Sequence, residues 1–172
     1  MSSTQSTSGG ASVLPQARAT GEDLSRVRPT PVDGVTLHRF AQFRDHRGGL
    51  TVGEFAQHIP FVPQRYFLVY DVPAAEVRGQ HAHRECHQFL VCVRGSCTAT
   101  ADDGVTQETF VLDSPATGLY MPPMTWGSQR EYSADAVLLV FASHSYDPAD
   151  YMDDYAEWRQ ARIGRTNGTP AD

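Results

Sequence analysis

A chain of 172 residues with 40% hydrophobic and 20% charged side chains has the size and composition of one folded domain, which excludes fibrous, coiled-coil and wholly disordered classes. Its net charge of -6 sets 20 acidic residues against 14 basic ones, all arginine, so the basic face of a nucleic-acid binder is not expected, although a few arginines can still grip one small diphosphate. The apolar run from Ala136 to Ala142 is seven residues long, far short of the roughly 20 that span a bilayer, and no membrane partner is expected.

Residues 1–33 are rich in Ser, Thr, Gly, Ala and Pro and read as a flexible N-terminal arm. The opening MSSTQSTSGGASVLPQARAT lacks the charged and then apolar pattern of a secretory leader, which points to the cytoplasm. A single domain over residues 34–162 follows, and residues 163–172 read as a flexible tail. Within it TLHRF, GLTVGEF and RYFLVYDV are short, β-branched or aromatic segments bounded by Gly, Pro or Asp, the pattern of strands. QFLVCV, CTATA and TQETFVL continue the rhythm, with Arg94-Gly95 and Asp102-Asp103-Gly104 as expected hairpin turns. GLYMPP, a bend containing Trp126, and Ala136 to Ser143 bring the expectation to nine or ten strands, the last buried on both faces. Strands this short and this regularly spaced indicate an all-β sandwich or barrel, and a small jelly roll suits the length. Asp147 to Ala161 differs, with Asp147 as N-cap, Pro148 at the first helical position and Tyr151, Tyr155 and Trp158 on one face, and reads as a C-terminal α-helix. Cys86, Cys92 and Cys97 fit neither a disulfide framework nor a zinc motif and read as buried free thiols.

The densest functional chemistry is Arg78-Gly-Gln-His81-Ala-His83-Arg-Glu-Cys-His87-Gln88. On a strand residues i and i+2 face the same way, so His81 and His83 project together while Ala82 keeps the opposite side small. Two imidazoles in one cavity serve either metal ligation or proton transfer near neutral pH.

The spacing Gly79-x-His81-x-His83-x4-Gln88-x6-Gly95 resembles the first motif of the cupin superfamily, which implies an all-β cupin jelly roll with the short C-terminal helix. Metal-binding cupins typically carry Glu where this chain has Gln88, and a histidine where the second motif, Gly118 to Gly127, ends here in Gly127. Two imidazoles and an amide make a poor zinc or iron site, so no metal and no cofactor are expected. The blocks DHRGGLTVGE, RYFLVYDVP, RGQHAHRECHQFLVCVRGSC, LDSPATGLYMPPMTW and VLLVFASHSYDPADYMDDY are similar to those of the nucleotide-sugar 3,4-ketoisomerases. That resemblance implies movement of a C4 ketone to C3 of dTDP-4-keto-6-deoxyglucose through an enediol, with His81 as principal base and His83 as its partner. It also implies Arg47, Arg65, Tyr66, Tyr70, Arg78, Tyr120 and Trp126 as candidate substrate contacts. A dTDP-linked 4-keto-6-deoxy sugar is the implied partner and a homodimer the implied assembly. Arg47 resembles the branch giving the galacto product, whereas Gly127 matches neither branch and removes a side chain from the pocket wall, which either enlarges the pocket for a modified sugar or leaves a gap for Gln129 or Arg130 to fill. A sugar 3,5-epimerase and a non-catalytic nucleotide-sugar-binding cupin are the alternatives that the residues leave open.

Overall fold

The computed structural model describes residues 26–166, which form thirteen short strands and one α-helix with their connections. In chain order these are β1 (Arg26–Pro29), β2 (Thr36–Arg39), β3 (Gln42–Asp45), β4 (Gly48–Thr51) and β5 (Arg65–Tyr70). Then come β6 (Arg78–His83), β7 (Gln88–Arg94), β8 (Cys97–Asp102), β9 (Gln107–Leu112) and β10 (Thr117–Met121). β11 (Trp126–Arg130), β12 (Val137–Ala142), β13 (Tyr151–Met152) and a helix, α1 (Tyr155–Thr166), complete the order.

One sheet has six strands in the order β1-β2-β10-β7-β12-β5, a second has five in the order β13-β6-β11-β8-β9, and β3-β4 is a separate hairpin. The two large sheets share one core, to which β7, β10 and β12 give Leu90, Cys92, Leu119, Leu138 and Val140 and β8 and β9 give Cys97, Ala99, Ala101, Phe110 and Leu112. Period-2 alternation explains the division, because the odd-numbered Phe89 and Val91 of β7 enter a second cluster with Phe40, Ile59 and Ala116 on the outer face of the six-stranded sheet. A third cluster, Ala82, Met124, Met152 and Trp158, seats α1 outside the five-stranded sheet. There Trp158 is fully buried and donates its indole N–H to the Met124 carbonyl at 3.0 Å.

Several expectations are corrected by these contacts. The ordered domain begins before residue 34, since Arg26–Pro29 pairs with β2 and Val32 is buried; residues 1–25 of the expected arm and 167–172 of the expected tail lie outside the described residues. Arg94-Gly95 is no hairpin turn, because β7 and β8 belong to different sheets and the chain turns a corner there, whereas Asp102-Asp103-Gly104 does join the paired β8 and β9. Trp126 opens a strand instead of a bend, and β12 alternates between half-buried and buried residues. Asp147 caps a turn as expected, accepting the Ala149 amide at 2.9 Å, but the turn is a three-residue 3-10 helix that gives way to β13. The α-helix starts later, where Asp154 accepts the Glu157 amide at 2.9 Å, so Tyr151 does not share its face with Tyr155 and Trp158.

Candidate active site

His81 and His83 face the core side of β6, their ring centroids 5.0 Å apart and their planes at 84°, while Ala82 is fully buried on the other side, as the alternation requires. They line a cavity of about 320 Å³ between the sheets, together with Arg78, Gln88, Thr125, Gln129 and the apolar Phe67, Leu90, Met121 and Val140. A bulge aims Arg78 at this cavity. Gly127 pairs with His81 but Ser128 with Gly79, leaving Gln80 as the extra residue, with φ of 79° at Gly79 and 59° at Gln80. Without that insertion Arg78, three residues from His81, would lie on the opposite face.

His83 is only 4% exposed and is held at both ring nitrogens. Nδ1 lies 2.7 Å from Oδ2 of Asp150, whose Oδ1 accepts the Glu85 amide at 2.7 Å, and the Gln88 amide nitrogen lies 2.9 Å from Nε2. Burial pushes the His83 imidazole below its ordinary pKa, the hydrogen bond to Asp150 working against the shift and the neighbouring His81 adding to it. Burial favours protonation of Asp150, but the Glu85 amide and the His83 bond outweigh it and hold the carboxyl below its usual range. A neutral imidazole beside a carboxylate carries its proton on Nδ1, donates it to Asp150, and keeps the Nε2 lone pair on the Gln88 side. The His81 imidazole, by contrast, makes no hydrogen bond among the described residues. Tyr151, directly opposite His83 across the β13-β6 ladder, walls the pair with centroids 4.8 Å from His81 and 4.5 Å from His83.

Arg65 joins this group from β5. Its Nη2 makes a long 3.5 Å contact with the Tyr151 hydroxyl, its guanidinium sits 5.7 Å from the Phe67 centroid and 5.4 Å from that of Tyr146, and its buried Nε has no hydrogen-bond partner. Arg65, Arg78, His81 and His83 are therefore gathered in one region. The other expected contacts are not. Tyr66 and Tyr70 are 68% and 59% exposed on the outer side of β5, because Arg65, Phe67 and Val69 take the inward side. Tyr120 points away from the cavity, its hydroxyl 2.6 Å from Nδ1 of His87, while its neighbours Leu119 and Met121 face the core. Trp126 packs against Tyr155 and Trp158 under α1, since Gly127 takes the inward position of β11. Arg47 sits at the exposed β3-β4 turn, paired with Asp45, and does not line this cavity.

Asp150 and Tyr151 are the residues that sequence reasoning missed. Asp150 is 67 residues from His83, and its only local signal is an acid just after the Asp147-Pro148 cap, which says nothing about where the turn docks. His83, Cys86 and Asp150 place donor atoms within 4.8 Å of one another, the one such metal-competent group among the described residues. The His83–Asp150 hydrogen bond already engages two of its three donors.

Two facing antiparallel sheets with one C-terminal helix and a carboxylate-backed imidazole pair in the intervening cavity define a cupin-like β protein equipped for proton transfer. The family model described as "FdtA: WxcM-like, C-terminal" matches residues 33–163. A TDP-4-oxo-6-deoxy-alpha-D-glucose-3,4-oxoisomerase of Aneurinibacillus thermoaerophilus is 40% identical over 121 residues, covering 70% of this chain and 87% of that protein. The crystal structure of a 3,4-ketoisomerase from Helicobacter canadensis is similar at 33% identity and a TM-score of 0.73, covering 77% of this chain and 98% of that one. A histidine-to-asparagine variant of the 3,4-ketoisomerase QdtA from Thermoanaerobacterium thermosaccharolyticum, in complex with TDP-4-keto-6-deoxyglucose, is similar at 30% identity and a TM-score of 0.75, with 78% and 97% covered. This chain belongs to the dTDP-sugar 3,4-ketoisomerase family.

Proposed function

We propose that the protein is an isomerase that moves the keto group of dTDP-4-keto-6-deoxyglucose from C4 to C3, giving a dTDP-3-keto-6-deoxyhexose. The observation that carries this is the buried His83–Asp150 pair beside His81 at a cavity between the sheets, in a chain of this family. The hydrogen at C3 is acidified by the adjacent C4 carbonyl, so a base removes it to form an enediol; a proton is returned to C4, the C3 hydroxyl becomes the ketone, and no electron leaves the sugar. An imidazole whose Nδ1–H is fixed by a carboxylate has its lone pair directed at Nε2 and its positive form stabilised as it takes a proton. That arrangement favours His83, in place of His81, as the base at C3, with His81 returning the proton at C4. Arg65 and Arg78 hold the diphosphate and the enediolate oxygens, a task suited to fixed, always-charged donors.

The reading includes a closed cupin jelly roll and a homodimer. In support of the dimer, Tyr66, Leu68 and Tyr70 line the bare outer face of β5 at the sheet edge, and Arg47 stands on a hairpin away from its own cavity. Three buried thiols suit the reducing cytoplasm as the place of action, and the chemistry needs no metal or cofactor. The test is proton NMR of the protein with dTDP-4-keto-6-deoxyglucose in deuterated water containing EDTA. Appearance of a 3-keto product with deuterium at C4 is the expected result; exchange at C3 or C5 with the ketone still at C4 overturns the reading.

A further inference from the structure

Gly127 and Gln129 are the inward residues of β11 and, with Thr125 just before the strand, form the cavity wall beside β6. Gly127 is the direct cross-strand partner of His81, so whatever covers Gly127 stands next to that imidazole. Two side chains do so. A Cβ at Gly127 would lie 2.7 Å from Cε of Met121 and 3.7 Å from Nε2 of Gln129, and a Cβ at Gly79 would lie 3.0 Å from Oε1 of Gln129. The Gln129 carboxamide thus lies across the two glycines that flank His81, in space that exists because neither carries a side chain. Residues 127 and 129 share a face, so a polar group is restored to the wall from two positions along the strand.

The amide makes no hydrogen bond among the described residues, although it has two donors and an acceptor to satisfy. Thr125, at the other end of the wall and 5% exposed, has a hydroxyl oxygen buried from solvent with no hydrogen-bond partner, and it lines the same cavity. An unpaired buried hydroxyl is costly, and its convergence on one cavity wall with a half-buried carboxamide that has no protein partner marks where a polar ligand bonds. The wall they form is neutral; the cations, Arg65 and Arg78, come from β5 and β6. Neutral donor–acceptor groups match the hydroxyl and carbonyl oxygens of a sugar ring, while the arginines match a diphosphate.

We propose that Gln129 selects the configuration at C4 of the product: its carboxamide, seconded by the Thr125 hydroxyl, bonds the sugar oxygens beside His81 and holds one face of the ring toward the imidazoles. The assignment rests on the isomerase reading above. C4 is the carbon that becomes a new stereocentre, and its configuration is set by which ring face receives the proton. A ring released from the wall can present either face.

The test compares wild type, Gln129→Met and Thr125→Val with dTDP-4-keto-6-deoxyglucose, reading KM, kcat and the C4 configuration by proton coupling. Gln129→Met keeps the length and removes every polar atom. Its expected KM is about tenfold higher, the equivalent of one or two neutral hydrogen bonds, and the share of the minor C4 epimer rises by a similar factor. Thr125→Val, nearly isosteric, is expected to raise KM severalfold and covers the case in which the first variant fails to fold. A merely structural role for either residue would not alter product configuration. An unchanged C4 configuration in folded Gln129→Met overturns the assignment whatever its KM, as does an unchanged KM in Thr125→Val if Gln129→Met is unfolded. Wild type without turnover overturns the isomerase reading itself, and this inference with it.

Discussion

His83 and His87 stand four residues apart, one buried and the other half-buried, and each imidazole is hydrogen-bonded to a partner, yet only one belongs to a site. His83 faces the cavity between the sheets, bonded to Asp150 and to Gln88. His87 is on the outer side of the six-stranded sheet, bonded through Nδ1 to the Tyr120 hydroxyl and stacked on that ring at 16°, with Phe61 5.9 Å away. Burial lowers both pKa values. The difference is made between them, where the chain passes from β6 in one sheet to β7 in the other. A low pKa and a hydrogen-bonded partner are therefore not what makes an imidazole catalytic in this fold. What separates the two is a cavity bounded by glycines, unpaired polar groups and arginines on one side, and a closed aromatic packing on the other.

The sharpest way to break this comparison is to exchange the two histidines for asparagine. His83→Asn should lower kcat by about 10³-fold, within the range of a lost general base, with nucleotide-sugar binding retained by calorimetry, while His87→Asn should leave kcat within about twofold. Equal losses would end the distinction. A smaller effect, about 10²-fold in kcat with KM little changed, is expected for Asp150→Asn, which keeps the shape but not the charge behind His83. Because the Asp150 bond raises the His83 pKa against burial, its loss should also move the acid limb of the rate profile to lower pH. A merely structural Asp150 would leave that limb in place.

The pH dependence of stability extends the comparison to both sheet faces. His38, whose Nδ1 bonds the His58 carbonyl at 2.8 Å, and His83 are both held by burial below the ordinary value of 6.5. The native state then binds fewer protons than the unfolded chain below that pH. Stability from these groups should be complete above about pH 6.5 and fall as pH drops through their native pKa values, by at most about 1.4 kcal/mol per pH unit for each. Urea unfolding midpoints from pH 8 to 5 measure this; a midpoint that rises on acidification would contradict it. The smallest effect belongs to Tyr120→Phe. It leaves His87 without its partner, and should cost about 1 kcal/mol of stability with kcat and KM unaltered. A kinetic defect in this variant would return Tyr120 to the sugar site.

The strand rhythm and the imidazole pair were legible in the sequence because both depend on a period of two, which is local. His81 and His83 had to share a face wherever β6 went, and Leu90 and Cys92 had to oppose Phe89 and Val91. The same parity divided β5 into Arg65 with Phe67 and Tyr66 with Tyr70, but it could not say which set turned inward. That choice belongs to the partner sheet, which received Arg65, Phe67 and Val69 and left the tyrosines outside. Tyr120 and Trp126 miss the cavity for the same reason, because their neighbours Leu119, Met121 and Gly127 hold the inward positions.

Composition and alternation by themselves determined an all-β domain and its histidine-bearing strand, and the longer sequence blocks carried the resemblance to its family. Tertiary structure alone decided that Asp150 closes on His83 across 67 residues, that a bulge at Gln80 brings Arg78 to the imidazoles, and that Gln129 covers the glycines beside them. The first group follows from interactions within a few residues of chain. The second depends on which strands become neighbours, and that is set by burying two sheets against each other rather than by any one segment.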